Sequence, residues 1–291
     1  IKFEIINNNL KMKKLILLIA IASISNLNAQ IKNPQPSPTA TISQTVGISN
    51  ISIEYSRPGA KGREIFGGLV PYDKMWRTGA NKATKITFEE DALFGGVEIK
   101  KGAYSLYTIP RKEEWSILLN SETEMWGAGD YQKTNEVCNI KVKSNESEHF
   151  TESFTIDFGD FTSFGAEIIF KWANTEVKVP VKTMAAKKIE QQYLELLNEG
   201  PSANTYYNGA RFFLDNDLDM NIALTWIDKA ISKRDDAFWM RYRKACILEK
   251  LDRKKEAIAT AKEVIEIAKE KEDDYGYIQK SEDLIAKLKI K

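Results

Sequence analysis

The chain contains 291 residues, and its 43% hydrophobic content is enough for two cores of ordinary domain size. This composition excludes an intrinsically disordered chain. Lys and Arg number 42 and Asp and Glu number 41, so the charge balance gives no electrostatic reason to expect a nucleic acid or an anionic membrane as a partner. We therefore predict no nucleic-acid partner.

Residues 12–29 have the parts of a secretory signal peptide. A basic start at 12–14 precedes a short apolar run at 15–24, and Leu27-Asn28-Ala29 offers a small-residue cleavage site. A membrane anchor is the alternative, but a spanning helix needs about 20 apolar residues. The sequence therefore predicts an exported protein, periplasmic or secreted, with no transmembrane segment in its mature form. Residues 1–11 are interpreted as translation upstream of the true start.

A proline-rich tether is predicted at residues 30–39. Pro34, Pro36 and Pro38 remove backbone donors and favour an extended chain. The tether should lead directly into the first strand.

Residues 40–183 are predicted to form an all-β domain, because β-branched and aromatic residues recur there, several in alternation with polar ones. The clearest predicted strands are 51–55, 84–88, 104–109, 115–119, 137–142 and 154–158. Gly95-Gly96 and Ala173-Asn174 are each flanked by apolar segments and predict hairpin turns. Short strands without an intervening long helix favour a β-sandwich or a jelly roll.

Residues 184–291 are predicted to be all-α, since apolar residues recur there every three or four positions. Two segments align at an offset of 34 residues, a period typical of tetratricopeptide repeats. The aligned pairs are Leu214 with Leu248, Ala223 with Ala257, Ile227 with Ala261, Ala230 with Val264 and Ile231 with Ile265. We predict two tetratricopeptide-like repeats, at about 204–237 and 238–271, and a capping helix. An unrelated bundle of helical hairpins is the alternative. The predicted fold class is thus α+β and multidomain.

Residues suited to familiar catalytic or metal chemistry are few. His149 is the only histidine and lies in a polar segment, while Cys138 and Cys246 lie in apolar patterns. A histidine-based triad, a multi-histidine metal centre and a nucleophilic thiol therefore have little support. No Gly-rich phosphate loop leads into a helix. We predict no cofactor and no metal, and favour two free thiols over a disulfide.

The long connection from Arg57 to Asn81 is the best candidate for a functional site, because long loops inside compact domains usually carry function. Its cations are charge-assisted donors for an anion, and its aromatic rings offer flat faces for a sugar or an aromatic group. The candidate ligand-binding residues are Arg57, Lys61, Arg63, Tyr72, Trp76, Arg77 and Asn81. The alternative is structural: Arg57 or Arg77 pairs with Glu54, Glu64 or Asp73 and only fixes the loop.

The same loop carries a family resemblance. Segments 56–58, 61–63, 65–72, 76–81 and 83–84, together with 101–106 and Trp126-Gly127, resemble the domain of unknown function 2911 (DUF2911) family. The resemblance covers about residues 36–183. It implies an exported protein from a Bacteroidota-like bacterium, often with helical repeats appended, and it implies no established activity. It favours one site formed by Arg57, Arg63, Trp76, Arg77 and Asn81.

These features predict an exported binding protein of unknown ligand. The basic loop would hold an anionic or sugar-like small molecule, and the helical repeats would offer a surface to a protein partner. Residues of the kind enriched at interfaces are Trp226, Phe238, Trp239, Arg241, Tyr242 and Arg243. The alternative is a hydrolase or lyase acting on cell-envelope or extracellular glycans or peptides. Its candidate acids are Glu122, Glu124, Asp130, Asp157 and Asp160.

Overall fold

A computed structural model describes residues 33–196 and 200–290 of the chain. The upstream segment, the predicted signal peptide and the first residues of the tether lie outside the described residues. Residues 33–38 form neither helix nor strand, and the chain from Thr39 onward forms one compact unit. Within the described ranges, nine strands form one antiparallel sheet and six α-helices follow it. The predicted α+β class is confirmed.

The strands run from Thr39 to Thr183. They are β1 Thr39–Val46, β2 Ser49–Ser56, β3 Thr84–Phe88, β4 Ala92–Phe94, β5 Val97–Ile99, β6 Gly102–Ile109, β7 Glu114–Asn120, β8 Glu136–Gly159 and β9 Gly165–Thr183. A 3-10 helix, Lys133–Asn135, precedes β8. The order across the sheet is β1-β2-β3-β6-β7-β8-β9-β4-β5. The hairpin predicted at Gly95-Gly96 is confirmed, since Phe94 pairs with Val97.

The hairpin turn predicted at Ala173-Asn174 is wrong, because β9 continues through both residues. Ala173 has a positive φ of 50°, but it lies where the pairing of β8 with β9 shifts register between Glu146 and Thr151. A bulge in a strand needs an unusual backbone angle as much as a turn does. β8 also continues through these register shifts, so the two segments predicted at 137–142 and 154–158 are parts of this single strand.

The sheet bends along β8 and encloses one core. Residues 136–143 of β8 pair with β7, whereas residues 144–159 pair with β9. Side chains from both parts of the sheet meet in a single buried cluster, including Ile53 and Leu106 from one part and Phe170 from the other. The architecture is therefore a sandwich, one of the two predicted alternatives, made from one folded sheet.

The helices form successive hairpins. They are α1 Ala185–Leu196, α2 Ala203–Asp215, α3 Met220–Lys233, α4 Phe238–Lys250, α5 Lys254–Lys269 and α6 Tyr277–Ile290. Ser202 and Asp219 accept hydrogen bonds from backbone N–H groups in the first turns of α2 and α3, which fixes where these helices begin. The residues aligned at the 34-residue offset have matching burial, from Leu214 and Leu248 through Ile231 and Ile265. The helices found in the described part of the chain are too short or too polar to cross a membrane.

The first helices contact the sandwich. Lys188 of α1 forms an ion pair with Glu90, and Phe212 of α2 lies edge-on to Phe164 at 5.7 Å between ring centroids. These contacts join the helical region to the ends of β3 and β9.

Candidate functional site

The beginning of the loop from Arg57 to Asn81 closes the free edge of β8. The backbone N–H of Ala60 donates to Glu152 O at 2.7 Å, and the N–H of Phe154 donates to Pro58 O at 2.9 Å. The guanidinium of Arg57 donates to Phe154 O at 3.1 Å and to Thr155 Oγ1 at 2.6 Å. Arg57 thus satisfies polar groups of a strand edge that lacks a neighbouring strand.

The next two basic residues of the loop also bind protein groups, Arg63 through its side chain and Lys61 through its backbone. Arg63 donates to Ala60 O at 3.0 Å and to Gly59 O at 2.6 Å, and so holds a turn together. The backbone N–H of Lys61 donates to a carboxylate oxygen of Glu152 at 2.9 Å. Two of the acids expected as partners bind elsewhere, since Glu54 pairs with Lys85 and Asp73 with Arg111. Arg57 thus has a structural role, but its partners are a carbonyl and a hydroxyl group of β8 and not an acid.

Trp76 belongs to the aromatic part of the core. Its ring stacks on Trp172, with 5.7 Å between centroids and 19° between planes, and lies 5.0 Å from Phe154. Its indole N–H donates to Gly79 O at 2.9 Å. The flat face expected to receive a ligand is thus occupied by protein rings.

Two other residues predicted for the site support the loop. The side-chain amide of Asn81 donates to Ser56 Oγ at 3.2 Å, and Asn81 has a positive φ of 61°. The ring of Tyr72 lies so close to Gly67 that a β-carbon there would be 2.8 Å from it. Both residues fix the course of the loop.

Arg77 is placed differently. Trp76 pairs with Thr108 at the end of β6 in extended backbone, and successive side chains of an extended segment point to opposite faces. Trp76 therefore enters the core, and Arg77 lies on the outer face of the sheet. The Nε of Arg77 is buried, and its guanidinium makes no hydrogen bond or ion pair with any residue that the structure describes.

The residues around Arg77 belong to β6 and to the connection between β7 and β8. Its Nη1 lies 3.4 Å from where a β-carbon of Gly127 would be. The carbonyl of Gly127 accepts the hydroxyl of Tyr107 at 2.8 Å. Trp126, the residue before Gly127, is 63% exposed. We call Arg77, Tyr107, Trp126 and Gly127 the outer-face site.

A small apolar cluster supports this site. Tyr107, Leu118, Met125 and Ala83 are buried together on the outer face of the sheet, beneath the two connections. The ring of Tyr131 lies edge-on to Tyr107 at 5.0 Å. The N–H of Ala83 donates to Met125 O at 3.2 Å and joins the two connections. Arg77 thus lies beside a packed apolar cluster and not on a free loop.

The hydroxyl groups of the two tyrosines in this cluster have raised pKa values. Burial is the main cause that raises the pKa of Tyr107 from 10.0 to about 12, with a smaller effect from Asp130 and an opposing one from Arg77. Burial, followed by its hydrogen bond to Glu136, also raises the pKa of Tyr131. Both hydroxyls are therefore protonated, neutral donors at physiological pH.

We expect the free energy of unfolding to fall as the pH rises from about 10 to about 12. In that interval Tyr107 is protonated in the folded state and ionised in the unfolded state, so the unfolded state binds fewer protons and a rise in pH favours it. Urea unfolding at several pH values measures this slope. Tyr107→Phe should make the slope shallower; an equally steep decline in the variant would contradict the assignment to Tyr107.

Asp130 lies close enough to Tyr107 of the outer-face site to raise its pKa, whereas the other four candidate acids bind other protein groups. Glu122 accepts the backbone N–H of Glu124 at 3.0 Å. Asp160 pairs with Lys178 and Glu124 with Lys82. Asp157 accepts the N–H of Phe158 and lines an open cleft of about 280 Å³ with Arg57. Among the described residues, no group of three or more His, Cys, Asp or Glu side chains could hold a metal ion.

The seven predicted residues are therefore divided among different places. Arg57, Lys61 and Arg63 lie at the edge of β8, Trp76 lies in the core, and Arg77 lies on the outer face. Sequence reasoning missed Tyr107, Trp126 and Gly127 as neighbours of Arg77. The available signal was the resemblance itself, since Trp126-Gly127 and the segment around Arg77 both carry it and the fold brings them together.

Comparison with known proteins finds a family model that matches part of the chain. Residues 37–181 match the model of a family described as Protein of unknown function (DUF2911). The match covers almost all of the sandwich and ends before the helices. No curated protein matches the chain, and no solved structure matches it.

Proposed function

We propose that the DUF2911 region of this chain binds a small ligand with an anionic group, which Arg77 holds at the outer-face site. The observation that carries the proposal is the guanidinium of Arg77, which has a buried Nε and no partner among the described residues. A buried donor without a partner destabilises the fold. An oxyanion would satisfy it, since a carboxylate, sulfate or phosphate group matches the planar fork of donors.

The second part of the proposed ligand is a flat ring. Trp126 exposes 63% of its surface next to Gly127, and Gly127 adjoins Arg77. An exposed indole gains free energy when a sugar or an aromatic ring covers it. Gly127 has no side chain, and a β-carbon there would lie only 3.4 Å from Nη1 of Arg77. An acidic sugar or an aromatic carboxylate combines the two features.

We also propose that the protein is exported and that its helices are tetratricopeptide-like repeats that bind a protein partner. The signal-like segment at 12–29 supports export. The hairpins α2–α3 and α4–α5, with matching burial at an offset of 34 residues, support the repeat assignment. Catalysis by a pair of acids is not included, because Asp130 alone among the candidate acids has an interaction with the outer-face site. Glu124 and Asp160 bind lysines, and Glu122 and Asp157 each accept a backbone N–H.

Arg77→Met tests the ligand site. The protein is screened by thermal shift against acidic sugars, aromatic carboxylates, amino acids and sugar phosphates, because a ligand of the native state raises the melting temperature. We expect a compound that stabilises the original protein to have no effect on Arg77→Met. The variant itself should melt within a few degrees of the original protein, since the lost group has no protein partner. Binding should also weaken in Arg77→Lys, which keeps the charge and loses the fork.

Lys61→Met is the matched control, because it removes a charge from the same loop and leaves Arg77 in place. We expect it to bind the ligand normally. A ligand that binds Arg77→Met as tightly as the original protein would place the site elsewhere. A screen in which no anionic compound raises the melting temperature would overturn the proposal.

A further inference from the structure

β1 forms one end of the sheet and pairs with β2 alone. A two-residue turn at Gly47 and Ile48 joins the two strands, so Val46 and Ser49 are a hydrogen-bonded pair. The pairs then alternate, and the odd-numbered residues of β1 direct their N–H and C=O groups away from β2. The bonds of Asn50, which lies opposite Thr45, fit this pattern. Its N–H and C=O point away from β1 and both bond to Glu89 on the other side of β2.

The outer edge of β1 has little protection against strand pairing: of its outward-directed groups, Thr45 O accepts the side-chain amide of Gln44 at 3.0 Å. Its sequence, TATISQTV, contains no charged residue and no proline, and natural edge strands are commonly interrupted by such residues or kept short. The opposite end of the sheet has both protections. β5 has only three residues, and Glu98 within it pairs with Lys100 at 2.6 Å.

β8 does not pair with this edge, and β9 contacts only the turn end of β1, where Thr183 Oγ1 donates to Val46 O at 3.2 Å. An open cleft of about 280 Å³ lies between Ala40–Ile42 of β1 and Thr155–Asp157 of β8. Side chains already satisfy the edge of β8 there, because Tyr55 bonds to both backbone groups of Ile156, and Asp157 accepts the N–H of Phe158. β8 therefore has no free groups to offer to β1 at these positions.

We propose that β1 pairs with β1 of a second copy of the chain, antiparallel and around a two-fold axis. The arrangement with the greatest overlap places Thr39 opposite the second copy's residue 45 and Thr41 opposite its residue 43. The outward-directed groups of the two strands would then form about eight hydrogen bonds. Every exposed side chain on this face is Thr or Ser. Each would face Thr or Ser, a favourable cross-strand pair.

The sequence of β1 favours a second copy over a charged peptide as the partner. A two-fold axis brings identical residues near each other, which is unfavourable for charged strands but not for an uncharged one. On the inner side, the same pairing brings the two copies of Ile42 together, beside the partly buried Ala40. The same register places the uncharged Gln44 opposite residue 40 of the second copy, so neither face brings charged residues together.

Paired charge variants test this contact, with sedimentation measured from micromolar to millimolar concentration. We expect the original protein to sediment at twice the mass of one chain. Thr41→Lys with Ser43→Lys should be monomeric, because the pairing places two lysines opposite two others. Thr41→Glu with Ser43→Glu should be monomeric for the same reason. An equimolar mixture of the two variants should recover the dimer, which an unfolded or merely weakened strand would not do.

Ser43→Pro gives an independent measurement, with Ser43→Ala as its control. The proline removes an outward-directed N–H and leaves the hydrogen bonds to β2 in place, so we expect a folded monomer by circular dichroism and sedimentation. The alanine variant should still dimerise. An original protein that is monomeric throughout, or a dimer that persists in both charge variants, would overturn the proposal. Neither result bears on ligand binding by Arg77.

Discussion

Replacing Trp76 with alanine should lower the free energy of unfolding by about 3 kcal/mol or more. The ring stacks on Trp172 and lies edge-on to Phe66 and Trp115. Its removal takes apolar surface out of the core, leaves a cavity and breaks aromatic contacts that contribute beyond their buried area. It also leaves the carbonyl of Gly79 without the indole donor. Urea unfolding at constant m-value measures the change.

Trp126→Ala is the matched control, because the same atoms are removed from a side chain that is 63% exposed. Its free energy of unfolding should change by no more than about 0.5 kcal/mol. Its binding of an acidic, ring-containing ligand should weaken instead. Equal losses of stability in the two variants would contradict the division of roles between the core tryptophan and the exposed one.

The local elements were largely predictable from the sequence, whereas the partners of the loop residues were not. The strand predicted at 84–88 has those bounds in the structure, because alternation and β-branched residues are local properties. The direction of Trp76 and Arg77 depends on the pairing of Trp76 with Thr108. Shifting that pairing by one residue would exchange the two faces, and no local pattern determines it.

The roles of Arg57 and Arg63 show a second limit. Nearby acids in the sequence suggested an ion pair for Arg57, but the guanidinium groups of both arginines bind backbone carbonyls. Arg57 donates to Phe154 O and to the hydroxyl of Thr155, both on β8 and far away in the sequence. Carbonyl groups left free by a missing neighbour strand appear only once the sheet order is known. The site at Arg77 was predicted only in part, because a resemblance consists of separate sequence segments and does not show which of them are neighbours in the fold.

Tyr55→Phe should lower the free energy of unfolding by about 2 kcal/mol or more, although it removes a single oxygen atom. The hydroxyl accepts the N–H of Ile156 at 3.0 Å and donates to the carbonyl of the same residue at 3.2 Å. It thus replaces both backbone contacts that a neighbouring strand would make. Ile156 is buried, so phenylalanine would leave a donor and an acceptor unsatisfied away from water.

Tyr104→Phe separates this effect from the general cost of losing a buried hydroxyl. The hydroxyl of Tyr104 donates to one carbonyl, Lys100 O, at 2.8 Å, and Lys100 is exposed, so water can replace it. We expect a loss of about 1 kcal/mol or less in this control.

Hydrogen exchange measures the effect locally. The exchange rate of the Ile156 amide should rise in Tyr55→Phe and should not change in Tyr104→Phe. An unchanged rate in both would show that the edge of β8 is closed by something other than Tyr55. A faster rate in Tyr55→Phe alone would mean that one side chain keeps β8 from acting as an open edge, and that β1 is the end of the sheet left free to pair.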